Sequence, residues 1–379
     1  MKIDDKTSHN SPSLRFPEFT GEWEKCKIED ITDAVSSGKS KNHFSNGEYN
    51  LYGSTGIIGR TDKALYDGKL VLVARVGANA GFLQIINEPC GITDNTLILK
   101  PKGIDAFYLY YFLQHFNLNR LIFGSGQPLI TGGMLKKVKV SLGTISEQSK
   151  IVKFLSLLDE RIAVQNRLID RLQSLIKGIM VKLQQQGLSK GTWKRVPLSS
   201  ILKERTELNE GLLPVYSVSV SQGVVNQMEY LGRSFAAKDT SKYHVAHFGD
   251  LIYTKSPTGS FPYGIVKQNS NRYKVAVSPL YGVYTPANYF TGVFLQEYFK
   301  SEVNTFNYLH SLIQKGAKNT INITNQRFLD NYILIPTDSN DLQQISNLLL
   351  RLNANKDLMQ NMLQQYQEQK QYLLRQMFI

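Results

Sequence analysis

From Ile151 onward, apolar side chains recur at alternating intervals of four and three: Ile151, Leu155, Leu158, Ile162, Gln165, Ile169, Leu172, Ile176, Ile179 and Leu183. Only Gln165 breaks the apolar character of this series. The charges between them, among them Lys153, Glu160, Arg161, Arg167, Arg171 and Lys177, fall off the stripe. An apolar seam at heptad spacing with a charged outer face predicts a coiled-coil helix. Ser146, Glu147 and Gln148 can start that helix, and Gly187 is the expected stop.

The same register returns 194 residues later as Ile345, Leu349, Leu352, Lys356, Met359, Leu363, Tyr366, Lys370, Leu373 and Met377, with Lys356 and Lys370 as breaks. Agreement over nearly five heptads marks an internal repeat. The segments ahead of the two helices correspond as well. Trp23 and Trp193, the two tryptophans of the chain, are each followed by a short helix start, Ile28–Ile31 and Leu198–Ile201. Gly68–Val73 resembles Gly249–Thr254, and Phe112-Leu113-Gln114 matches Phe294-Leu295-Gln296. Gly124 with Ile130-Thr131 matches Gly316 with Ile323-Thr324, and Val138–Leu142 matches Tyr332–Pro336, a strand leading into each helix.

The order is therefore globular unit, helix, globular unit, helix, with boundaries at 1–145, 146–186, 187–338 and 339–379. Within the globular units, β-branched and apolar runs bounded by Gly, Asn and Pro predict strands at Leu70–Arg75, Thr96–Leu99, Leu251–Lys255 and Tyr281–Tyr284. Helical stretches fall near Phe107–Phe116 and Phe294–Tyr298. The fold class is α+β: two similar mixed units separated by two long helices. A helix of about 38 residues is roughly 57 Å long, and its apolar stripe needs a partner. The other copy, packed antiparallel, is the expected one, which would relate the units by a pseudo-twofold axis.

Composition narrows the function. The 44 Lys and Arg against 31 Asp and Glu give a net charge of +13, which points to a polyanion, nucleic acid first and an acidic membrane surface second. Residues 1–145 carry 17 basic and 14 acidic side chains, and residues 187–338 carry 16 and 10, so the second unit is the more basic. No stretch approaches the roughly 20 apolar residues of a membrane span, and the polar start, Met1–Asn10, does not read as a signal peptide. The two cysteines, Cys26 and Cys90, cannot build a disulfide framework or a four-thiolate zinc site. A soluble cytoplasmic protein is expected.

Several motifs then resemble those of one known family, the specificity subunits of type I restriction-modification enzymes. Leu14-Arg15-Phe16-Pro17-Glu18-Phe19 followed by Trp23-Glu24 is similar to the family's N-terminal opening. Gly124-Ser125-Gly126-Gln127-Pro128-Leu129-Ile130-Thr131 resembles its Gly-rich, Gln-Pro loop. Val140-Ser141-Leu142, Glu147–Ile151 and Leu158-Asp159-Glu160-Arg161-Ile162 resemble its helix-opening signature, with Leu142-Gly143 standing where a proline is usual. The second copy is more degenerate, with Leu342-Gln343-Gln344-Ile345 in place of Glu-Gln, although Ile335-Pro336 keeps the proline. The resemblance implies that the globular units are target-recognition domains, each reading one half of an asymmetric bipartite sequence in double-stranded DNA. It implies that the helices set the spacing and dock two methyltransferase subunits, and through them restriction subunits. S-adenosylmethionine, ATP and magnesium would serve the complex from those partner subunits.

The residues themselves show no catalytic constellation. Gly38-Lys39-Ser40 lacks the upstream glycine of a phosphate-binding loop, since position 33 is Asp33. No Asn-Pro-Pro-Tyr run is present, and Gly53, Gly56, Gly59, Gly77 and Gly81 lack the dinucleotide spacing. His244 and His247 are a possible ligand pair without companions, so no metal is expected. A non-catalytic chain follows. Glycine-flanked loops, hydrogen-bonding side chains and correspondence between copies select Ser54, Thr55, Arg60, Arg75, Asn79 and Gln127 in the first unit as DNA-binding candidates. Ser217, Ser219, Lys255, Ser256, Thr258 and Arg272 are selected in the second. Two other readings stay open: a coiled-coil scaffold for proteins without DNA specificity, and an enzyme whose site leaves no sequence signature.

Overall fold

The computed structural model describes residues 10–41, 46–122, 126–233, 236–315 and 321–379. In the first half, β1 (Glu24–Lys27) is followed by a single 3-10 turn (Ile28–Ile31) and β2 (Thr32–Ser37). Next come β3 (Tyr49–Gly53), β4 (Gly56–Thr61), β5 (Lys69–Ala74), β6 (Leu83–Asn87), β7 (Cys90–Ile92) and β8 (Thr96–Pro101). Then α1 (Ala106–Phe116), α2 (Gly132–Lys136) and β9 (Lys139–Leu142) lead to the long helix α3 (Ile145–Ser189). The second half opens with β10 (Trp193–Pro197), a 3-10 turn (Leu198–Ser200), β11 (Leu202–Glu204), β12 (Tyr216–Ser219), β13 (Gly223–Asn226) and α4 (Gln227–Leu231). It continues with β14 (His244–Ala246), β15 (Leu251–Tyr253), β16 (Val266–Gln268), β17 (Val275–Val277), β18 (Gly282–Pro286), α5 (Tyr289–Phe299) and α6 (Glu302–His310). It ends with β19 (Gln314–Lys315), β20 (Ile321–Asn322), α7 (Asn325–Asp330), β21 (Tyr332–Pro336) and α8 (Ser339–Met377). Two compact units result: Met1–Asn166 with Asn361–Ile379, and Arg167–Gln360. Each unit takes a part of α3 and a part of α8.

The first unit is organised by an antiparallel sheet in the order β2-β8-β5-β6. Successive residues of a strand face opposite sides, and β5 is covered on both. Val71 and Val73, with Leu97 and Leu99 of β8, join a core with Trp23, Tyr108, Phe112, Ile151, Leu155, Leu158, Leu374 and Phe378. Leu70 and Leu72 point the other way, to Ile86, Ile98, Cys90 and Ile92. The small sheet β4-β3-β7 covers that second face. Double coverage explains the unbroken apolar run Leu70–Ala74.

The second unit repeats this plan by itself, with sheet order β11-β18-β15-β16. Leu251, Tyr253, Val266 and Tyr284 face a core holding Trp193, Phe294, Phe328, Met180 and Leu349. Ile252 and Val283 face the pairs β12–β13 and β14–β17 through Tyr216, Val224, Ala246, Val275 and Val277. In each unit the tryptophan-bearing segment pairs with the strand before the long helix: β1 with β9, and β10 with β21. Thr131 and Thr324 cap α2 and α7 by accepting from Met134 N at 3.2 Å and Arg327 N at 3.3 Å. The repeat read from sequence is thus a repeat of topology.

Four expectations need correction. Gly187 does not end the helix: α3 runs to Ser189, and a Cβ on Gly187 would lie 2.0 Å from Trp193 Cδ1, so this glycine makes room for the indole. The helix is capped by Thr144, whose Oγ1 accepts from Glu147 N at 3.3 Å, and not by Ser146. The expected helix starts after the two tryptophans are single 3-10 turns that feed strands β2 and β11. The Phe294–Tyr298 helix is longer, and α6 behind it was not anticipated. Gly124, Ser125 and Gly316 lie outside the described residues.

The seam positions Ile151, Leu155, Leu158 and Ile169 are buried, and Ile162 and Leu172 half-buried. On α8, Leu349 is buried, and Ile345, Leu352, Met359, Leu363 and Tyr366 are half-buried. In the first unit Lys370 Nζ lies 2.6 Å from Asp159 Oδ1, while Tyr366 borders a hollow with Arg161, Val164 and Gln165. Rising numbers on α3 therefore meet falling numbers on α8, which is antiparallel packing. In the second unit Ile345 and Leu349 share a core with Ile176, Met180 and Leu183.

Candidate nucleic-acid interface

In the first unit the loops that emerge at one end of the β5 strand converge. The β3–β4 turn is Gly53-Ser54-Thr55-Gly56, and Gly56 adopts φ +135°, a conformation that side chains with a Cβ rarely take. Gln84 Nε2 of β6 donates to both Gly53 O and Ser54 O, at 2.9 and 3.2 Å, which fixes the turn. Asn95 O accepts from Ser54 Oγ at 3.3 Å and from Arg75 N at 2.9 Å. Beyond Arg75 the chain pairs with the Gln127 loop, Gly77 N donating to Pro128 O at 3.0 Å and Ile130 N to Arg75 O at 2.8 Å. Ser54, Thr55, Arg75, Asn79 and Gln127 thereby come into one neighbourhood, with Thr55, Asn79 and Gln127 exposed. Arg75 is half-buried, and its Nε is enclosed with no hydrogen bond among the described residues.

Arg60 is placed elsewhere. Its guanidinium donates to Gly47 O at 2.5 Å and Glu48 O at 2.6 Å, at the end of the hairpin away from the turn. These bonds commit it to the backbone.

In the second unit Ser217 Oγ accepts from Gln227 Nε2 at 3.2 Å, and Ser219 is buried, its Oγ donating to Tyr230 Oη at 3.2 Å. Both serines support the β12–β13 hairpin. Lys255 is half-buried at φ +57°, and burial pulls its ammonium below the usual lysine range, with Glu204 opposing. Ser256 is exposed, and Thr258 Oγ1 donates to Ser256 O at 3.0 Å inside a turn closed by Thr258 and Phe261. A Cβ on Gly259 would lie 4.0 Å from Val220 Cγ2, so this loop adjoins the β12–β13 turn. Arg272 is exposed beside the strands of that hairpin, between Asn271, which donates to Val224 O at 3.0 Å, and Tyr273, bonded to Tyr216 Oη at 2.6 Å.

Arg75 and Lys255 occupy equivalent positions. Val71 pairs with Leu99 and Leu251 with Tyr284, and all four face the helix-side cores. Counting by two along the strand from Val71 reaches Arg75, and from Leu251 reaches Lys255. Each unit thus ends its central strand in a partly enclosed cation.

His247 Nε2 lies 2.5 Å from Glu207 Oε2 and His244 Nδ1 lies 2.9 Å from Tyr281 O. Among the described residues, no cluster of three or more His, Cys, Asp or Glu could hold a metal. No described helix is long and apolar enough to cross a membrane. Sequence reasoning missed Gln84 and Asn95, which only sheet register brings to the turn.

Comparison with known proteins gives a family for the first part of the chain. Residues 20–174 match the family described as "Type I restriction modification DNA specificity domain". The "Type I restriction enzyme MjaVIII specificity subunit" of Methanocaldococcus jannaschii is 29% identical over 168 residues, 41% of this chain and 39% of that one. The "Putative type I restriction enzyme MjaX specificity subunit" of the same organism is 36% identical over 101 residues, 25% of this chain and 24% of that one. Residues 20–174 carry this type I restriction-modification DNA specificity domain.

The alignments span well under two thirds of these curated relatives, and the segment matched by the family covers β1 through β9 and about two thirds of α3. The fold extends the likeness to the second unit. A type I S subunit from M. genitalium superposes with a TM-score of 0.66 at 15% identity, covering 97% of this chain and 99% of that one. A chain from a type I R-M assembly has a TM-score of 0.50 at 13% identity, covering 94% and 97%. The fold shared with that S subunit therefore takes in both globular units and both long helices.

Proposed function

We propose that this specificity subunit reads an asymmetric, two-part sequence in double-stranded DNA, one part with each globular unit, and does no chemistry itself. One observation carries the reading: both units share one sheet topology and end the central strand in an equivalent cation, Arg75 or Lys255, while the surrounding loops differ. A shared frame with different loops is what two readers of unlike half-sites require, since loops carry specificity while the scaffold positions them. Relatives named as restriction-enzyme specificity subunits support the same reading, as does a fold neighbour described in terms of type I complex assembly. In this reading two methyltransferase subunits dock on the long helices and bring restriction subunits. S-adenosylmethionine, ATP and magnesium are bound by those partners, and adenine is the methylated base.

The test is methylome sequencing of cells with and without the chain, and with residues 1–145 exchanged for those of another allele. Loss of one bipartite methylated motif on deletion, and alteration of one half of it on exchange, is the expected result. Methylation that persists unchanged without the chain sinks the proposal.

A further inference from the structure

Gly38-Lys39-Ser40 is no phosphate-binding loop by spacing, yet its geometry in the first unit is specific. Gly38 N donates to Thr96 O at 3.0 Å, and a Cβ there would meet Ile92 O at 2.3 Å. Ser40 is buried, its Oγ accepting from Ile92 N at 3.1 Å while its own N donates to Ile92 O at 2.9 Å. The segment is thus stitched along β7 as an extended rail. Alternation along that rail turns Lys39 and Lys41 outward on either side of buried Ser40.

Two open hollows adjoin the rail. One, of about 610 Å³, is lined by Lys39, Lys41, Ile58, Asp94 and Asn95 among others. The second, of about 430 Å³, is lined by Lys39, Lys41, Asp62, Lys63 and Leu65 among others. The three lysines are exposed and make no salt bridge among the described residues. The first hollow ends at Asn95, the residue whose carbonyl ties Ser54 and Arg75 together. Asp62 and Asp94 on the rims leave three ammoniums against two carboxylates, so the groove offers placed cations more than bulk attraction.

We propose that this groove seats the sugar-phosphate backbone of the duplex whose base edges meet the Ser54–Arg75 loops, with Lys39, Lys41 and Lys63 on its phosphates. The proposal rests on the DNA-reading function above and names its positioning surface. Lysines on phosphate fix register without carrying sequence. Their loss therefore weakens binding evenly across sequences, whereas loss of a base reader alters preference.

The experiment uses the full-length chain assembled with its methyltransferase subunits and a mixed-sequence duplex of about 40 base pairs as probe, titrated across salt concentrations. Each phosphate contact contributes about 0.9 to the slope of log affinity against log salt. Replacing Lys39, Lys41 and Lys63 together by Ala is expected to make that slope shallower by about 2 to 3. The motif methylated in cells should stay the same. A control replaces Lys136, Lys137 and Lys139, whose neighbours Leu135 and Val138 lie in the helix-side core, and should change the slope by less than about 1. An unchanged slope in the groove variant, with normal binding by the parent complex, overturns the groove and leaves sequence recognition standing. An equal effect in the control also overturns it, because the loss would then reflect charge anywhere on the surface. A parent complex that binds no duplex at all overturns the groove and the DNA-reading function together.

Discussion

The indole N–H of Trp23 donates to Glu147 Oε2 at 3.1 Å, inside a site where Arg15 holds both oxygens of the same carboxylate at 2.6 and 2.8 Å. Glu147 sits in the first turn of α3 and its side chain is fully enclosed. One carboxylate therefore joins Arg15 of the N-terminal segment and Trp23, the residue just ahead of β1, to the long helix. A buried ion pair broken on one side costs far more than it contributes when intact, because the remaining charge is left unpaired. Glu147→Ala should destabilise the first unit by about 3 kcal/mol, and Glu147→Gln by less, since the amide oxygen still accepts. Denaturant unfolding of the full chain measures both. Equal losses for the two variants would argue against the charge pair as the cause.

Two glycines of α3 should respond oppositely to the same substitution. A Cβ on Gly178 meets nothing within 4 Å, and one on Gly187 meets the Trp193 ring at 2.0 to 2.4 Å. Alanine is favoured over glycine in a helix by about 1 kcal/mol. Gly178→Ala should therefore raise the thermal midpoint, and Gly187→Ala should lower it by displacing the indole from Phe294, 5.6 Å away. Stabilisation by both would mean that Trp193 does not pack on the helix.

Gly187 also shows where sequence reading stops. Periodicity exposed the two long helices and their shared register because a seam repeats every seven residues whatever it packs against. It revealed the repeated topology because tryptophans, glycines and strand runs recur in order. A glycine that ends a helix and one that admits a ring look alike in sequence. Ser219 reads as a loop hydroxyl and proves to be a buried support of its own hairpin. Arg60 reads as a base reader and is bound to backbone carbonyls. Gln84 and Asn95, which fix the Ser54 turn, have no local signature because their partners are 30 and 41 residues away in sequence.

Lys370 breaks the seam and has a reason to do so. Its ammonium lies 2.6 Å from Asp159 Oδ1, and Tyr111 Oη donates to the other oxygen at 2.8 Å. Lys370 Nζ also lies 5.4 Å from the Tyr111 ring centroid. A single polar contact in a seam selects register at some cost in stability. Lys370→Ala and Asp159→Ala should each destabilise, and the double variant should lose less than their sum, with a coupling of roughly 1 to 2 kcal/mol. Strictly additive losses in a double-mutant cycle would remove the pair from the set of register-fixing contacts.

Lys267 gives the second unit a pH dependence. Its Nζ donates to Val220 O at 2.7 Å, and burial, reinforced by Lys300, pulls the ammonium down to about 8. Unfolded lysine titrates near 10.4, so above pH 8 the unfolded chain binds more protons at this site than the folded one. Stability from this group therefore rises with pH, by at most about 2 kcal/mol between pH 7 and 9.5. Cys26 and Cys90, whose thiols burial pushes up, act in the opposite direction there. The informative quantity is thus the difference between the parent chain and Lys267→Met across that window. The parent should gain on the variant as pH rises, and parallel curves would show that Lys267 titrates as an ordinary lysine.

Arg75 and Lys255 lead to the most direct test of reading by halves. Each follows the central strand of its own unit by the same register, so neither can substitute for the other. Arginine in a bidentate contact to guanine contributes about 1 to 3 kcal/mol of discrimination. Arg75→Ala should relax one or two positions in a single half of the methylated motif by that factor. Lys255→Ala should act only on the other half, and more weakly, since an ammonium contacts as a point charge. Methylome sequencing of cells carrying each variant reads both outcomes at once. Relaxation of both halves by either variant would break the assignment of one unit to one half-site, because a local loss in one unit cannot alter contacts made by the other.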